Sequence, residues 1–290
     1  SGYSKGIFLL IMEILIKHIT NYQYKYPVSG LIQSTKLYPS SYKGLEIISW
    51  SVRHDSAKKS KIYKDAEANN IQSFTNSRPV KSIQFTVTGK VKTFDTKGVY
   101  SNSDEKINPL VYLRESKLTI PDVDIKNLAS EAKNGFTENE NLEKSHNLMK
   151  LVSRQVEYKP LTTNNHTTAQ EAYKQKKGVC QDQAHIMISA ARSIGIPARY
   201  INGYMHNNSN SSEFQSTHAW AEFYIQNLGW VGFDPTNNCC PDERYVRVSC
   251  GLDASYASPI RGVFYGYSNQ DNIIESLDID VETFENNAQQ

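Results

Sequence analysis

KGVCQDQAHIMISAARSIGIPARY, residues 177–200, sets a single cysteine, Cys180, two positions after a glycine and at the first turn of an apolar-striped segment. The spacing predicts a helix from Cys180 that stops at Gly195, ahead of Pro197. The unpaired N–H groups of a first helical turn converge there and favour negative charge. A free thiol ionises near ~8.5, and a helix amino terminus or a neighbouring imidazolium lowers such a value to roughly 3.5–7.5. One of those two levers is local to Cys180. Without the second, the cysteine reads as a small buried residue that happens to open a helix.

The second lever comes from STHAWAEFYIQNLGWVGFDPTN, residues 216–237. In HAWAEFYI the two-residue strand period puts His218, Trp220, Glu222 and Tyr224 on one face, and GWVGFDP does the same for Trp230, Gly232 and Asp234. A turn near QNLG joins the two strands; a three-residue turn gives the parity that follows, whereas a four-residue turn breaks it unless a bulge restores it. In an antiparallel hairpin the numbers of facing residues add to a constant, about 454 for a turn centred on Asn227 or about 452 for one centred on Gln226. Either turn leaves His218 and Asp234 on the same side, directly opposed or diagonal, within reach of one another. A carboxylate on one imidazole nitrogen sets the tautomer and turns the other nitrogen to the sulfur. Nucleophile, base and orienting group are then all present.

These residues carry a resemblance. GVCQDQAHIMISAARSIGIPARYINGY (178–204) and STHAWAEFYIQNLGWVGFDPTNN (216–238) resemble the core signature of the bacterial transglutaminase-like superfamily, over roughly residues 140–266. DERYVRV and SPIRGVFYG fall within that likeness. HITNYQYKYPVSGLIQSTKLYPS (18–40) is similar to the β domain that often precedes this core in bacterial proteins. The resemblance implies an α+β fold with a papain-like core, a helix-borne cysteine against an antiparallel sheet, behind an all-β sandwich. It also implies Cys180 as nucleophile, His218 as general base and acid, and Asp234 as orienting group, with no cofactor. GLDASYASPIRG (251–262) departs from the family's more usual Gly-Arg-Asp-Tyr run around Asp253 and Tyr256. No motif position identifies a second oxyanion donor beside the Cys180 N–H.

Outward from this core, residues 14–100 read as strands without helical period. ILIKHITNYQYKY, EIISWSVRH and SIQFTVTGKVKTF are separated by the turn clusters YPVSG, YPSSYKG and TNSRP. IKNLASEAKNG, ENLEKSHNLMKLVSRQVEY and TTAQEAYKQKKG read as helices, the last entered through Thr167 or Thr168. Helices first and strands afterwards imply an α+β domain with an antiparallel sheet. The expected organisation is a β domain over 12–105, a linker over 106–122, the core over 123–268, and a tail over 269–290 with one further strand, IIESLDIDV. Asp182 and His185, one turn apart near the Cys180 helix start, read as structural partners, and His206 as part of an exposed polar loop.

Composition excludes several classes. The 290 residues carry a net charge of +2, with lysines spread along the chain, which argues against nucleic acid or an anionic membrane as partner. No run approaches the ~20 apolar residues of a membrane-spanning helix. Four cysteines at 180, 239, 240 and 250 are too few for a secreted disulfide scaffold, although a Cys250 bridge to Cys239 or Cys240 stays open. They lack zinc-ribbon pairing, so no metal site is expected. Reduced thiols point to a cytoplasmic protein, and the resemblance implies a peptide or protein substrate. Ser1-Gly2 reads as a scar of expression, with Met12 as an alternative natural start.

Overall fold

The computed structural model describes residues 11–101, 104–207, 217–265 and 274–285. The amino-terminal half is built on one strand, β1 (Ile11–Tyr38), whose alternating residues Ile14, Ile16, His18 and Thr20 are buried. The cluster YPVSG, expected as a turn, lies inside this strand. The pairing register shifts between Gln23 and Val28, Pro27 has no N–H to give a ladder, and Gly30 takes a positive φ of 61°. The strand bends there and changes partners without ending.

β2 (Leu45–His54), β3 (Lys58–Lys59), β4 (Tyr63–Lys64), β5 (Asn70–Asn76) and β6 (Val80–Phe94) follow. Residues 11–28 of β1 pair with β6, and residues 31–38 with β5. The two halves of the sheet therefore meet face to face across an apolar cluster. Phe74 of β5 sits edge-on to Phe85 of β6 at 5.3 Å, with Leu31, Val52, Ile83 and Val87 around them.

After β7 (Val99–Tyr100) comes the segment expected as a linker. It is packed instead. A 3-10 turn over Pro109–Leu113 buries Tyr112, whose hydroxyl donates to Glu67 at 2.8 Å, and Leu118 and Thr119 are buried behind it. α1 (Val123–Lys133) starts at Asp122, which accepts from the Ile125 N–H, and α2 (Asn141–Gln155) follows. Short β8 (Glu157–Tyr158) pairs in parallel with β9 (Lys177–Gly178) across α3 (Ala169–Gln175), whose Thr168 and Glu171 exchange capping bonds.

α4 (Cys180–Ser193) is the centre of the second half. Ala184, Ile186, Met187, Ile188, Ala190 and Ala191 are all fully buried, because α1, α2 and α3 cover one side of this helix and a sheet covers the other. That sheet is antiparallel, in the order β13 (Tyr245–Gly251), β10 (Ala198–Met205), β11 (Thr217–Ile225), β12 (Gly229–Phe233), β7. Helices then antiparallel strands is the order expected; HAWAEFYI and GWVGFDP form β11 and β12, with β10 and β13 beyond β11 and β7 beyond β12.

Strand pairing crosses from one half of the chain to the other. β7 pairs with β12 in the second sheet. β14 (Ile260–Tyr265) and β15 (Ile274–Glu285), expected within the core and the tail, return to pair with β1. A buried ion cluster ties the halves together as well. Glu222 accepts from Arg199 Nε at 2.8 Å and Arg247 Nε at 2.7 Å. These arginines reach on to Glu105 and Ser40 at 2.5 and 2.7 Å, and Arg199 lies 3.8 Å over the Trp230 ring.

Candidate active site

Three elements converge on one cavity. The first is the start of α4. Asp182, in its first turn, accepts from the Val179 N–H at 2.7 Å and from the Thr163 hydroxyl at 2.6 Å. This fastens the residue that leads into Cys180. Gly178 permits the approach, since a Cβ there would lie 2.7 Å from the Asp182 carboxylate. Cys180 is half-buried against the helix–sheet core, and its side chain reaches the cavity.

The second and third elements are β11 and the end of β12. Ala221 pairs with Phe233 and Ile225 with Gly229, so facing numbers add to 454 and the turn centres on Asn227, whose φ is 69°. Asp234 is thereby diagonal to His218, one of the two arrangements parity allowed. His218 Nε2 donates to Asp234 Oδ2 at 2.7 Å. The imidazole also lies within hydrogen-bonding reach of Cys180. With Nε2 engaged, Nδ1 is the nitrogen left for the sulfur. The structure thus brings Cys180, His218 and Asp234 together.

Asp234 is completely buried and fully occupied. Its Oδ2 accepts from His218, from Asn237 Nδ2 and from the Tyr245 hydroxyl, each at 2.7 Å, and its Oδ1 accepts from the Thr236 N–H at 2.9 Å. Burial would push its carboxyl up, but the His218 charge and these hydrogen bonds outweigh it and hold the value below the usual carboxylate range. Burial likewise would lower the His218 imidazole. The charges of Asp234 and Cys180, and hydrogen bonds to both, raise it to about 10. Trp220 stacks beside the ring at 6.2 Å and closes it from that side. This is a site built to keep an imidazolium.

Other residues fall differently. Tyr245 and Asn237, which hold Asp234, were not singled out from sequence. DERYVRV and the DPTNN turn place them near the aspartate, but nothing in their spacing marks a role. Cys239 forms a bridge with Asp234 and touches the Tyr245 hydroxyl at 3.4 Å. All four cysteines are free thiols, and burial pushes those of Cys239, Cys240 and Cys250 up. His206, expected in an exposed loop, is 7% exposed because its N–H donates to Arg244 and the β10 end folds inward. His185 is buried, its Nε2 accepting from the Ala254 N–H at 3.1 Å. Neither Asp182 Oδ1 nor His185 Nδ1 has a partner, so the expected bond between these two does not form. Asp253 is buried in a turn, accepting from Ser255 and Tyr256, while Tyr256 is exposed. Among the described residues no cluster of His, Cys, Asp or Glu is arranged to hold a metal, and no helix is long and apolar enough to cross a membrane.

Comparison with known proteins finds matches to both halves of the chain. Residues 126–235 match the transglutaminase-like superfamily, and residues 14–92 match the bacterial transglutaminase-like N-terminal region. An uncharacterized protein of Mycobacterium leprae is 26% identical over 92% of this chain and 96% of its own length. A protein-glutamine gamma-glutamyltransferase of Pseudomonas aeruginosa is 32% identical over 28% of this chain, a stretch that is 13% of that protein. Among solved structures, a "putative cysteine protease" from Cytophaga hutchinsonii superimposes with a TM-score of 0.71 at 20% identity, covering 97% of this chain and 93% of its own. That likeness is one of fold.

Proposed function

Starting from a chain that belongs to the transglutaminase-like superfamily through its core and carries the matching bacterial N-terminal region, we propose that it is a cysteine protease or amidase. Its α+β core is read as papain-like and its amino-terminal half as a sandwich. The observation that carries the proposal is the imidazole of His218, held between the buried carboxylate of Asp234 and the sulfur at the start of α4.

The chemistry follows from that contact. The Cys180 sulfur attacks the carbonyl carbon of a peptide bond or a glutamine amide. The oxyanion that forms is met by the first-turn N–H groups of α4, including that of Cys180. His218 gives its proton to the departing nitrogen, the C–N bond breaks, and a thioester to Cys180 remains. Water, losing a proton to His218, then attacks the thioester, and the sulfur leaves with its electron pair. Asp234 never takes the proton; it keeps the ring oriented and balances its charge.

Hydrolysis is favoured over transfer to an amine because the cavity at Cys180 is wide, about 1640 Å³, and opens to water. The stretch similar to a glutamyltransferase supports the second reading, in which a lysine amine resolves the same thioester into a cross-link. A binding module that never turns over its ligand is the reading from another class. One experiment separates the three: incubation with glutamine-containing peptides, with and without added lysine ethyl ester, followed by intact-mass analysis. Cleavage or a gain of about 1 Da by deamidation is expected, with an acyl adduct on Cys180 trapped by rapid acid quench. Adducts to the lysine ester that replace hydrolysis would establish the cross-linker. No change in any peptide and no adduct would leave only binding.

A further inference from the structure

Attack of a sulfur on a carbonyl carbon drives negative charge onto the carbonyl oxygen, which preorganised donors must meet. The Cys180 N–H is one such donor, and the sequence marks no second. Two phenols, Tyr158 and Tyr200, line the cavity into which Cys180 opens. Neither hydroxyl has a hydrogen-bond partner among the described residues. Burial, and then the charge of Cys180, push both hydroxyls above the usual tyrosine value, so each keeps its proton for donation.

Their places in the fold separate them. Tyr200 is on β10, 4% exposed, with its ring 5.1 Å from that of His185. His185 is five residues into α4, about 7.5 Å down the axis from Cys180 at 1.5 Å per residue. That phenol therefore packs beside the helix, whereas the first-turn N–H groups point out of its mouth. Tyr158 stands at the mouth. It pairs with Gly178, two residues before Cys180, in the β8–β9 ladder. The Glu157 N–H donates to the Lys176 carbonyl at 2.9 Å and the Lys159 N–H to the Gly178 carbonyl at 2.8 Å, which fixes the backbone on both sides of Tyr158. The loop that follows is fastened to the first turn of α4 through the Thr163 hydroxyl on Asp182. Tyr158 is 41% exposed, and its side chain faces the cavity. β8 belongs to a different sheet from β11, so Tyr158 and His218 reach the sulfur from separate elements.

We propose that Tyr158 is a further catalytic residue, its hydroxyl the second oxyanion donor beside the Cys180 N–H. As the C–S bond forms, the carbonyl π pair moves onto oxygen, which accepts one hydrogen bond from the Cys180 N–H and one from the Tyr158 hydroxyl. No proton leaves the tyrosine. When the pair returns to carbon, the leaving group departs, protonated by His218 where it is an amine, and both hydrogen bonds relax. This inference rests on the reading of Cys180 as nucleophile.

Two reagents isolate this role in the full chain. Iodoacetamide alkylates the sulfur by displacing iodide, with no oxyanion on the path, whereas p-nitrophenyl acetate acylates it through one. Both rates are measured at Cys180 by peptide mass analysis, the second also by nitrophenolate release. In Tyr158→Phe, acylation is expected to slow by about 10²–10³-fold, the usual loss of one oxyanion donor. Alkylation and its pH profile stay as in the unsubstituted chain. The variant deletes a hydroxyl without a protein partner, so its urea midpoint is expected to hold and a folding defect is told apart from a lost donor. Tyr200→Phe is expected to leave both rates near their original values. Acylation unaffected by Tyr158→Phe overturns the proposal, as does an equal fall of both rates, or a loss in Tyr200→Phe as large as that in Tyr158→Phe. Failure of the underlying reading looks different: in the unsubstituted chain, Cys180 would then react no faster than the other thiols with either reagent.

Discussion

Asp234→Asn removes one charge and almost no volume, and its effect can be worked from the site. His218 is raised from 6.5 to about 10, a shift that corresponds to ~5 kcal/mol in favour of the imidazolium at 1.36 kcal/mol per pH unit. Burial acts in the opposite direction, so the charges and hydrogen bonds of Asp234 and Cys180 supply all of the rise and offset the burial as well. With Asn in place of Asp234, burial loses its main opponent. The imidazole is then expected to titrate several units lower, and an Asn amide facing Nε2 also selects the wrong tautomer, which in serine triads costs about 10⁴ in kcat. The assay is a titration of ¹³Cε1-labelled histidine by NMR, with His218 assigned through His218→Gln. In the unsubstituted chain the His218 signal should hold its protonated shift through pH 8 and move near pH 10. In Asp234→Asn it should move at or below neutral pH. An unsubstituted His218 that titrates near 6.5, or one indifferent to Asp234→Asn, would refute the electrostatic argument.

Tyr245→Phe deletes the hydroxyl that donates to Asp234 and leaves that buried oxygen one partner short. A stability loss of about 1–3 kcal/mol in urea unfolding is expected, with slower labelling of Cys180. Glu222→Gln strips the shared carboxylate from Arg199 and Arg247, both buried. Leaving such a charge unpaired costs about 3–5 kcal/mol, read as a lower urea midpoint with little change in Cys180 labelling per folded molecule. His18 is buried, its Nδ1 on the Tyr204 hydroxyl at 2.8 Å, and burial lowers its imidazole to about 4 against a counteracting Asp280. Its folded value lies below its unfolded value, so its contribution is complete above pH 6.5 and is lost as pH falls through about 4. That amounts to roughly 3 kcal/mol, and His18→Gln should flatten this part of the stability profile.

The helix and the hairpin were legible because each is specified by neighbours in the chain. Apolar spacing, Gly195 and Pro197 bound α4, and the short turn at Asn227 forces the parity that brings Asp234 to His218. What sequence hid depends on contacts between distant segments. Tyr26-Pro27-Val28-Ser29-Gly30 has the composition of a turn, and only the separate partners β6 and β5 on either side make it a bend in one strand. Residues 106–122 look like a linker because their burial, at Tyr112 and Thr119, is against Glu67 and Arg192, far away in the chain. β14 and β15 carry no local sign that they return to β1. Tyr245 supports Asp234 from across a loop, and a tyrosine among 18 carries no mark of that duty. His206 sits beside polar residues, yet β10 carries it inward. The polar stretch 208–216 that follows it and residues 1–10 with the expected scar lie outside the described residues.

The central claim is that His218 activates Cys180, and alkylation kinetics test it most directly. Each of the four thiols is followed by peptide mass analysis after timed exposure to iodoacetamide, in the unsubstituted chain and in His218→Ala. Cys180 should react faster than Cys239, Cys240 and Cys250, and should lose most of that advantage when the imidazole is gone. A Cys180 that labels no faster than the other three, or at the same rate without His218, would contradict the account.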